Sequence, residues 1–138
     1  MNMETNKERN IDLVKAGINK FKSGNIGGML EDFAEDIIWN SYENEKIPSA
    51  RLYKGKAATG EFFRELGKDV IFNDFTPEHF YGDEDMVFVK THQAATVKST
   101  GKKYDNEMLL SFKIKNGKIS ECFAYVDSAN IEKAYLKS

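Results

Sequence analysis

Ile11, Val14, Ile18 and Phe21 recur at three- and four-residue intervals behind Thr5-Asn6-Lys7-Glu8, a capping-box spacing, and the pattern stops at Ser23-Gly24. This predicts an amphipathic helix. Asn25 is placed to cap a shorter second helix whose apolar face is Ile26, Met29, Leu30 and Phe33. Gly27 and Gly28 each cost that helix about 1 kcal/mol in propensity, so it depends on packing. Ile37-Ile38-Trp39-Asn40-Ser41-Tyr42 is β-branched and aromatic and too short for a helix, which predicts a strand, followed by a polar loop through Pro48. Ala58, Phe62, Phe63 and Leu66 then mark a third helix between Gly55 and Gly67, with Gly67 in the role of a left-handed terminator.

Beyond Gly67 the period changes from helical to alternating. Val70 to Tyr81 reads as a strand interrupted by Pro77, which cannot donate to a ladder and so predicts a bend or bulge. Gly82-Asp83-Glu84-Asp85 turns the chain, Met86 to Val97 is a long strand, and Ser99-Thr100-Gly101-Lys102 turns it again. Tyr104 to Lys115 returns, and Asn116-Gly117, a strong hairpin signal, starts a last strand at Lys118. Ser128 to Leu136 ends the chain as a short helix with Ile131, Ala134 and Tyr135 on one face. Helices followed by a meander of hairpins give an α+β fold in which the early helices cover one sheet face.

Composition narrows the function classes. With 138 residues, 41% of them apolar and 30% charged, the chain has material for a single packed core and lies far from disordered compositions. Twenty basic and 22 acidic side chains leave a net charge of −2, so no long-range field attracts nucleic acid or an anionic membrane. The single cysteine, Cys122, excludes an internal disulfide framework and a multi-thiolate metal site, and reads as a small buried hydrophobe. The stretch from Met1 to Asn10 is polar throughout and lacks the apolar core of a signal peptide, which makes the cytoplasm the expected location.

Familiar catalytic patterns are missing. Gly24, Gly27 and Gly28 lack the spacing of a nucleotide-binding loop, and His79 and His92 fall on different strands without metal-ligand spacing. No nucleophile elbow occurs. The chemistry expected is therefore free of metal and cofactor.

Phe33-Ala34-Glu35-Asp36 leading into a strand, Tyr53-Lys54-Gly55 before Phe62-Phe63, Thr100-Gly101-Lys102, Asn116-Gly117-Lys118-Ile119 and Tyr125-Val126-Asp127 follow one another in a telling order. In that succession the chain resembles the SnoaL-like and ketosteroid-isomerase-like branch of the NTF2-like superfamily. The resemblance spans residues 1–138 as one domain. It implies an NTF2-like cone, with N-terminal helices packed on a strongly curved antiparallel sheet and a short C-terminal helix, usually dimeric and enclosing an apolar pocket. Members include isomerases, polyketide cyclases, epoxide hydrolases and dehydratases. Laid on the family order, the isomerase base would stand at Ser41, its oxyanion tyrosine at Gly17 and its oxyanion aspartic acid at Leu110. None of these side chains can do that work, so ketosteroid isomerisation is not expected. The aspartate of the epoxide-hydrolase-like branch would fall at Phe123 or Ala124, neither of which activates water.

Strand alternation turns Thr91, Gln93, Ala95 and Val97 inward, with Met108, Leu110 and Phe112 and with Cys122, Ala124 and Val126. The expected ligand-binding set is Trp39, Ser41, Tyr53, Phe62, Gln93, Leu110, Phe112 and Ala124, with Tyr53 closing the mouth. Two ionisable residues carry competing readings. His92 is a general base or a residue of the outer sheet face beside Phe88 and Lys90, and parity favours the latter. Asp127 is an acid or base at the pocket rim or the cap of the last helix. Phe88, His92, Leu109, Phe123 and Tyr125 on the outer face predict a homodimer through that face. The function implied is binding of a small apolar or aromatic-ring metabolite, with or without cofactor-free isomerase, cyclase or lyase chemistry. The alternative is a non-catalytic ligand-binding or dimerisation module.

Overall fold

The computed structural model describes residues 5–137, so Met1 to Glu4 of the polar N-terminal stretch lie outside it. Helix α1 (Asn6–Lys22) begins where Thr5 Oγ1 accepts from Glu8 N at 3.1 Å, and α2 (Ile26–Glu31) begins where Asn25 Oδ1 accepts from Gly28 N at 3.0 Å. Both caps satisfy amide groups that the first helical turn leaves without partners. Strands β1 (Phe33–Asn40) and β2 (Leu52–Lys54) precede α3 (Lys56–Asp69). Then come β3 (Val70–Gly82), β4 (Met86–Val97), β5 (Lys103–Lys115), β6 (Lys118–Val126) and α4 (Ser128–Tyr135).

The six strands form one sheet in the order β2-β1-β6-β5-β4-β3. The three hairpins β3-β4-β5-β6 are antiparallel, as alternation predicts, and β1 adds to β6 in parallel, making the sheet mixed. Asn116 and Gly117, with φ of 53° and 73°, make the left-handed pair that the last hairpin turn requires. Register breaks between Phe72 and Asp74 and between Pro77 and His79 bulge β3, the second at the proline expected to cause one. These bulges bend the sheet so that one face is concave, and the helices pack into that concavity.

Three local expectations are corrected. The first strand starts at Phe33, not Ile37, and Phe33 leaves the second helix's apolar face to pair with Ile119. That pairing joins residues far apart in sequence, so local pattern could not show it. Strand β2 has no counterpart in the sequence reading, because three residues are too few to show a period, and it forms where Tyr53 pairs with Trp39. Gly67 lies inside α3, which runs on to Asp69 and ends where Val70 N bonds to Leu66 O, so no left-handed residue is needed there.

Val14, Ile18, Phe33, Trp39, Phe62, Phe63, Leu110 and Phe112 form the main core cluster, in which α1 and α3 meet the concave sheet face. A second cluster around Ile47, Ala95, Val97, Tyr104 and Ile131 sits beneath α4. No helix among the described residues is long and apolar enough to cross a membrane.

Candidate functional site in the concave face of the sheet

Between the helices and the concave face lies a cavity of about 450 Å³. Volumes of this order accommodate small organic ligands. Helix α1 contributes Val14, Gly17, Ile18 and Phe21 to its wall, α3 contributes Phe62, Phe63 and Leu66, and the strands contribute Trp39, Gln93, Leu110, Phe112 and Ala124. The three-and-four spacing of the helical residues and the two-residue spacing of the strand residues aim these side chains into one space. Of the eight residues expected to bind ligand, Trp39, Ser41, Phe62, Gln93, Leu110, Phe112 and Ala124 line the cavity. Tyr53 does not. It is 4% exposed, its ring packs on Phe62 and its hydroxyl donates to Ser49 O at 2.9 Å, so it supports the wall from behind instead of closing the mouth.

Trp39 is held by rings on four sides, Phe33, Phe62, Phe63 and Phe112, with centroids 5.0–6.5 Å away. Its Nε1 is buried without a hydrogen-bond partner among the described residues. Gly17, Ser41 and Leu110, where an isomerase of the resembled family would carry its acid and base groups, all reach the cavity wall. Glu43, on the exposed loop at the mouth, is the only acidic or basic side chain among the described lining residues.

The polar groups of the wall are mostly neutral. Tyr104 and Tyr135 line the end of the cavity nearest α4. Burial pushes the Tyr104 hydroxyl up to about 12, and burial followed by the Asp69 carboxylate pushes that of Tyr135 above the usual tyrosine range. Both phenols are protonated at neutral pH and available as donors. Sequence alternation stopped at Met108 on this strand; two further steps would have reached Asn106 and Tyr104. Asp69 was not foreseen either. One of its oxygens, Oδ2, is buried without a partner, and burial raises its carboxyl above the usual range, followed by the neighbouring Glu65.

The two ionisable candidates are placed elsewhere. Asp127 caps α4, its Oδ1 accepting from Asn130 N at 3.3 Å. His92 lies on the outer sheet face, with Nδ1 2.6 Å from Asp74 Oδ2 and Nε2 2.6 Å from Asp105 Oδ1. Two carboxylate acceptors on one imidazole require both ring nitrogens to carry protons. The hydrogen bond to Asp74, then that to Asp105, raise His92 from 6.5 to about 9. Thr76 and then His92 hold Asp74 below the usual carboxylate range. Glu107, directly across from His92, is raised by a hydrogen bond shared with Glu78.

Because the folded state raises the pKa of His92, its pairing adds stability fully below about pH 6.5, and that stability fades as pH climbs through about 9. Thermal melts of the wild type and His92→Gln should therefore differ most near pH 6 and converge above pH 9. A gap that grows with pH would contradict the pairing. Cys122, wholly buried, has its thiol raised by burial and is inert. Among the described residues, no three His, Cys, Asp or Glu side chains are grouped to hold a metal ion.

Comparison with solved structures places this architecture. An NTF2-like protein from Burkholderia xenovorans LB400 superposes with a TM-score of 0.86 at 22% identity, over 94% of this chain and 98% of that one. Bal32a, from a soil-derived mobile gene cassette, gives 0.85 at 23% identity over 96% and 100%. TerC, co-crystallised with polyporic acid, gives 0.83 at 20% identity over 92% and 98%. These likenesses establish an NTF2-like fold. No curated protein matches the chain significantly. The model of the SnoaL-like domain matches residues 14–122, from the first cavity-lining residue of α1 to the core of β6, and the chain thus belongs to the SnoaL-like domain family.

Proposed function

We propose that this protein binds an uncharged apolar or aromatic-ring small molecule in the cavity of its concave sheet face. The observation that carries the reading is the wall itself: mostly rings and aliphatic groups, with a few amides and hydroxyls and Glu43 as the only acidic or basic side chain among the described lining residues. A charged ligand would lose its hydration without gaining a counter-ion, whereas a flat apolar one exchanges water for ring contacts. TerC, which shares the fold, was crystallised with polyporic acid, in keeping with a fold that accommodates small organic molecules. Ketosteroid isomerisation is not proposed, since Gly17, Ser41 and Leu110 supply neither the base nor the acid. Cofactor-free conversion of the ligand is a second reading, favoured by the two protonated phenols of Tyr104 and Tyr135 on the wall.

Trp39 is the chain's only tryptophan and lines the cavity, so it reports occupancy directly. Titration with two- to four-ring aromatic compounds should change its emission saturably. Compounds bound by calorimetry that leave the emission untouched would place binding elsewhere.

We further propose that two copies associate through the outer sheet face. Leu109 pairs with Tyr125, Ser111 lies between Phe88 and Phe123, and the exposed Tyr42 ring packs 5.4 Å from Tyr125. Phe88, Leu109 and Tyr125 are 37%, 38% and 46% exposed, forming one apolar patch across three strands that a second copy would bury by two-fold symmetry. Light scattering at micromolar concentration should give a dimer, and Phe123→Asp a monomer. A wild-type monomer would refute this assembly.

A further inference from the structure

Gln93 is an amide in the middle of an apolar wall. It is 5% exposed, lies on β4 between the fully buried Thr91 and Ala95, and lines the cavity. An amide in such a place costs desolvation unless both of its ends are satisfied. Within the protein only one end is. Gln93 Nε2 donates to Asn106 Oδ1 at 3.0 Å, Asn106 Nδ2 donates to Asn130 Oδ1 at 2.9 Å, and no other hydrogen bond to the Gln93 amide occurs among the described residues.

The relay has a direction, and the direction decides what Gln93 offers. Were the three amides reversed, Gln93 would turn its carbonyl to Asn106 and present N–H groups to the cavity. As they stand, the nitrogen is engaged and the carbonyl oxygen is left as an acceptor. The far end of the relay is anchored. Asn130 stands on α4, which Asp127 caps, and α4 is tied down where Thr100 Oγ1 donates to Ala134 O at 2.6 Å and Asn44 Nδ2 to Glu132 Oε1 at 2.6 Å. Through Asn106 the Gln93 amide is thus tied to a helix held in place, with its carbonyl oxygen left free as an acceptor on the cavity wall.

Resting on the pocket reading above, we infer that Gln93 is the specificity-determining residue of the cavity, selecting uncharged ring compounds that carry a hydroxyl by accepting that hydroxyl's hydrogen bond. Asn106 and Asn130 are positioning residues that keep the acceptor turned inward. The ligand class follows from the chemistry: a ring system for the aromatic wall, no formal charge, and one donor to complete Gln93.

The test uses two probes with the same ring system, 2-naphthol, which donates, and 2-methoxynaphthalene, which cannot. A completed neutral hydrogen bond of this kind is typically worth roughly a fivefold preference, so calorimetry on the wild type should show 2-naphthol binding about that much more tightly. Gln93→Met, near-isosteric and without the acceptor, should bring the ratio of the two affinities to one, whatever its effect on the affinity of either probe alone. Gln93→Glu retains acceptor oxygens and should keep the preference, and Asn106→Leu should lower it without weakening 2-methoxynaphthalene. A preference that survives in Gln93→Met, or a wild-type ratio of one with both probes bound, overturns the inference and leaves the pocket reading standing. Binding of neither probe at millimolar concentration overturns the pocket reading and the inference with it.

Discussion

Leu110→Asp should reduce affinity for an apolar ring ligand by one to two orders of magnitude and abolish the saturable change in Trp39 emission. Leu110 is 5% exposed at the centre of β5, paired with Val89 on one side and Ala124 on the other, and its side chain forms part of the cavity wall. A carboxyl group there has no partner, and an unpaired polar group in such surroundings costs about 1–3 kcal/mol. A ligand that covered it would strip its remaining water, so the penalty falls on the complex. Leu110→Met preserves volume and apolarity and should bind within a few-fold of the wild type. Calorimetry with 2-methoxynaphthalene reads both variants. Undiminished binding by a folded Leu110→Asp protein would place the ligand outside this cavity.

Phe63→Ala should lower the free energy of unfolding by about 3–5 kcal/mol, the usual cost of emptying a buried phenylalanine site. The residue is 9% exposed and its ring meets Phe21 at 5.8 Å, Trp39 at 5.0 Å and Phe62 at 4.9 Å, so it joins α1, β1 and α3 at one point. Against a total stability of about 5–15 kcal/mol for an ordinary domain, the loss should shift the urea midpoint sharply downward. Phe63→Leu should recover most of it. A shift below about 1 kcal/mol for the alanine variant would mean that the neighbouring rings collapse into the space. The same change enlarges the cavity, so weaker ligand contact at unchanged Trp39 position is the accompanying expectation.

Much of the architecture was legible because it rests on local rules. Thr5, Asn25 and Asp127 each show a short polar side chain immediately before a helical period, and each accepts the capping hydrogen bond at that place. Asn116-Gly117 names its own turn through the left-handed backbone that few other pairs adopt readily. Alternation from Met86 onward assigned the cavity faces of β4, β5 and β6, because one buried face fixes the parity of the whole strand.

What escaped the sequence was non-local. Phe33 looked helical beside Met29 and Leu30, and only its partner Ile119 at the other end of the chain makes it a strand residue. Strand β2 exists because β1 offers it an edge, and Tyr53 is drawn behind the cavity wall by Ser49 O and the Phe62 ring. His92 was already placed on the outer face by parity, yet its doubly paired, proton-holding state depends on Asp74 and Asp105, which reach it from the two neighbouring strands.

The amino-acid order alone thus establishes the helices, the hairpins and the apolar lining, since caps, turns and side-chain periods act over a few residues. The polarity of the Gln93–Asn106–Asn130 relay, the burial that keeps Tyr104 and Tyr135 protonated, and the exclusion of Tyr53 from the cavity wall arise only when β4, β5 and α4 converge. The physical reason is that hydrogen-bond direction and desolvation belong to the space between elements, and that space does not exist until the chain has closed around it.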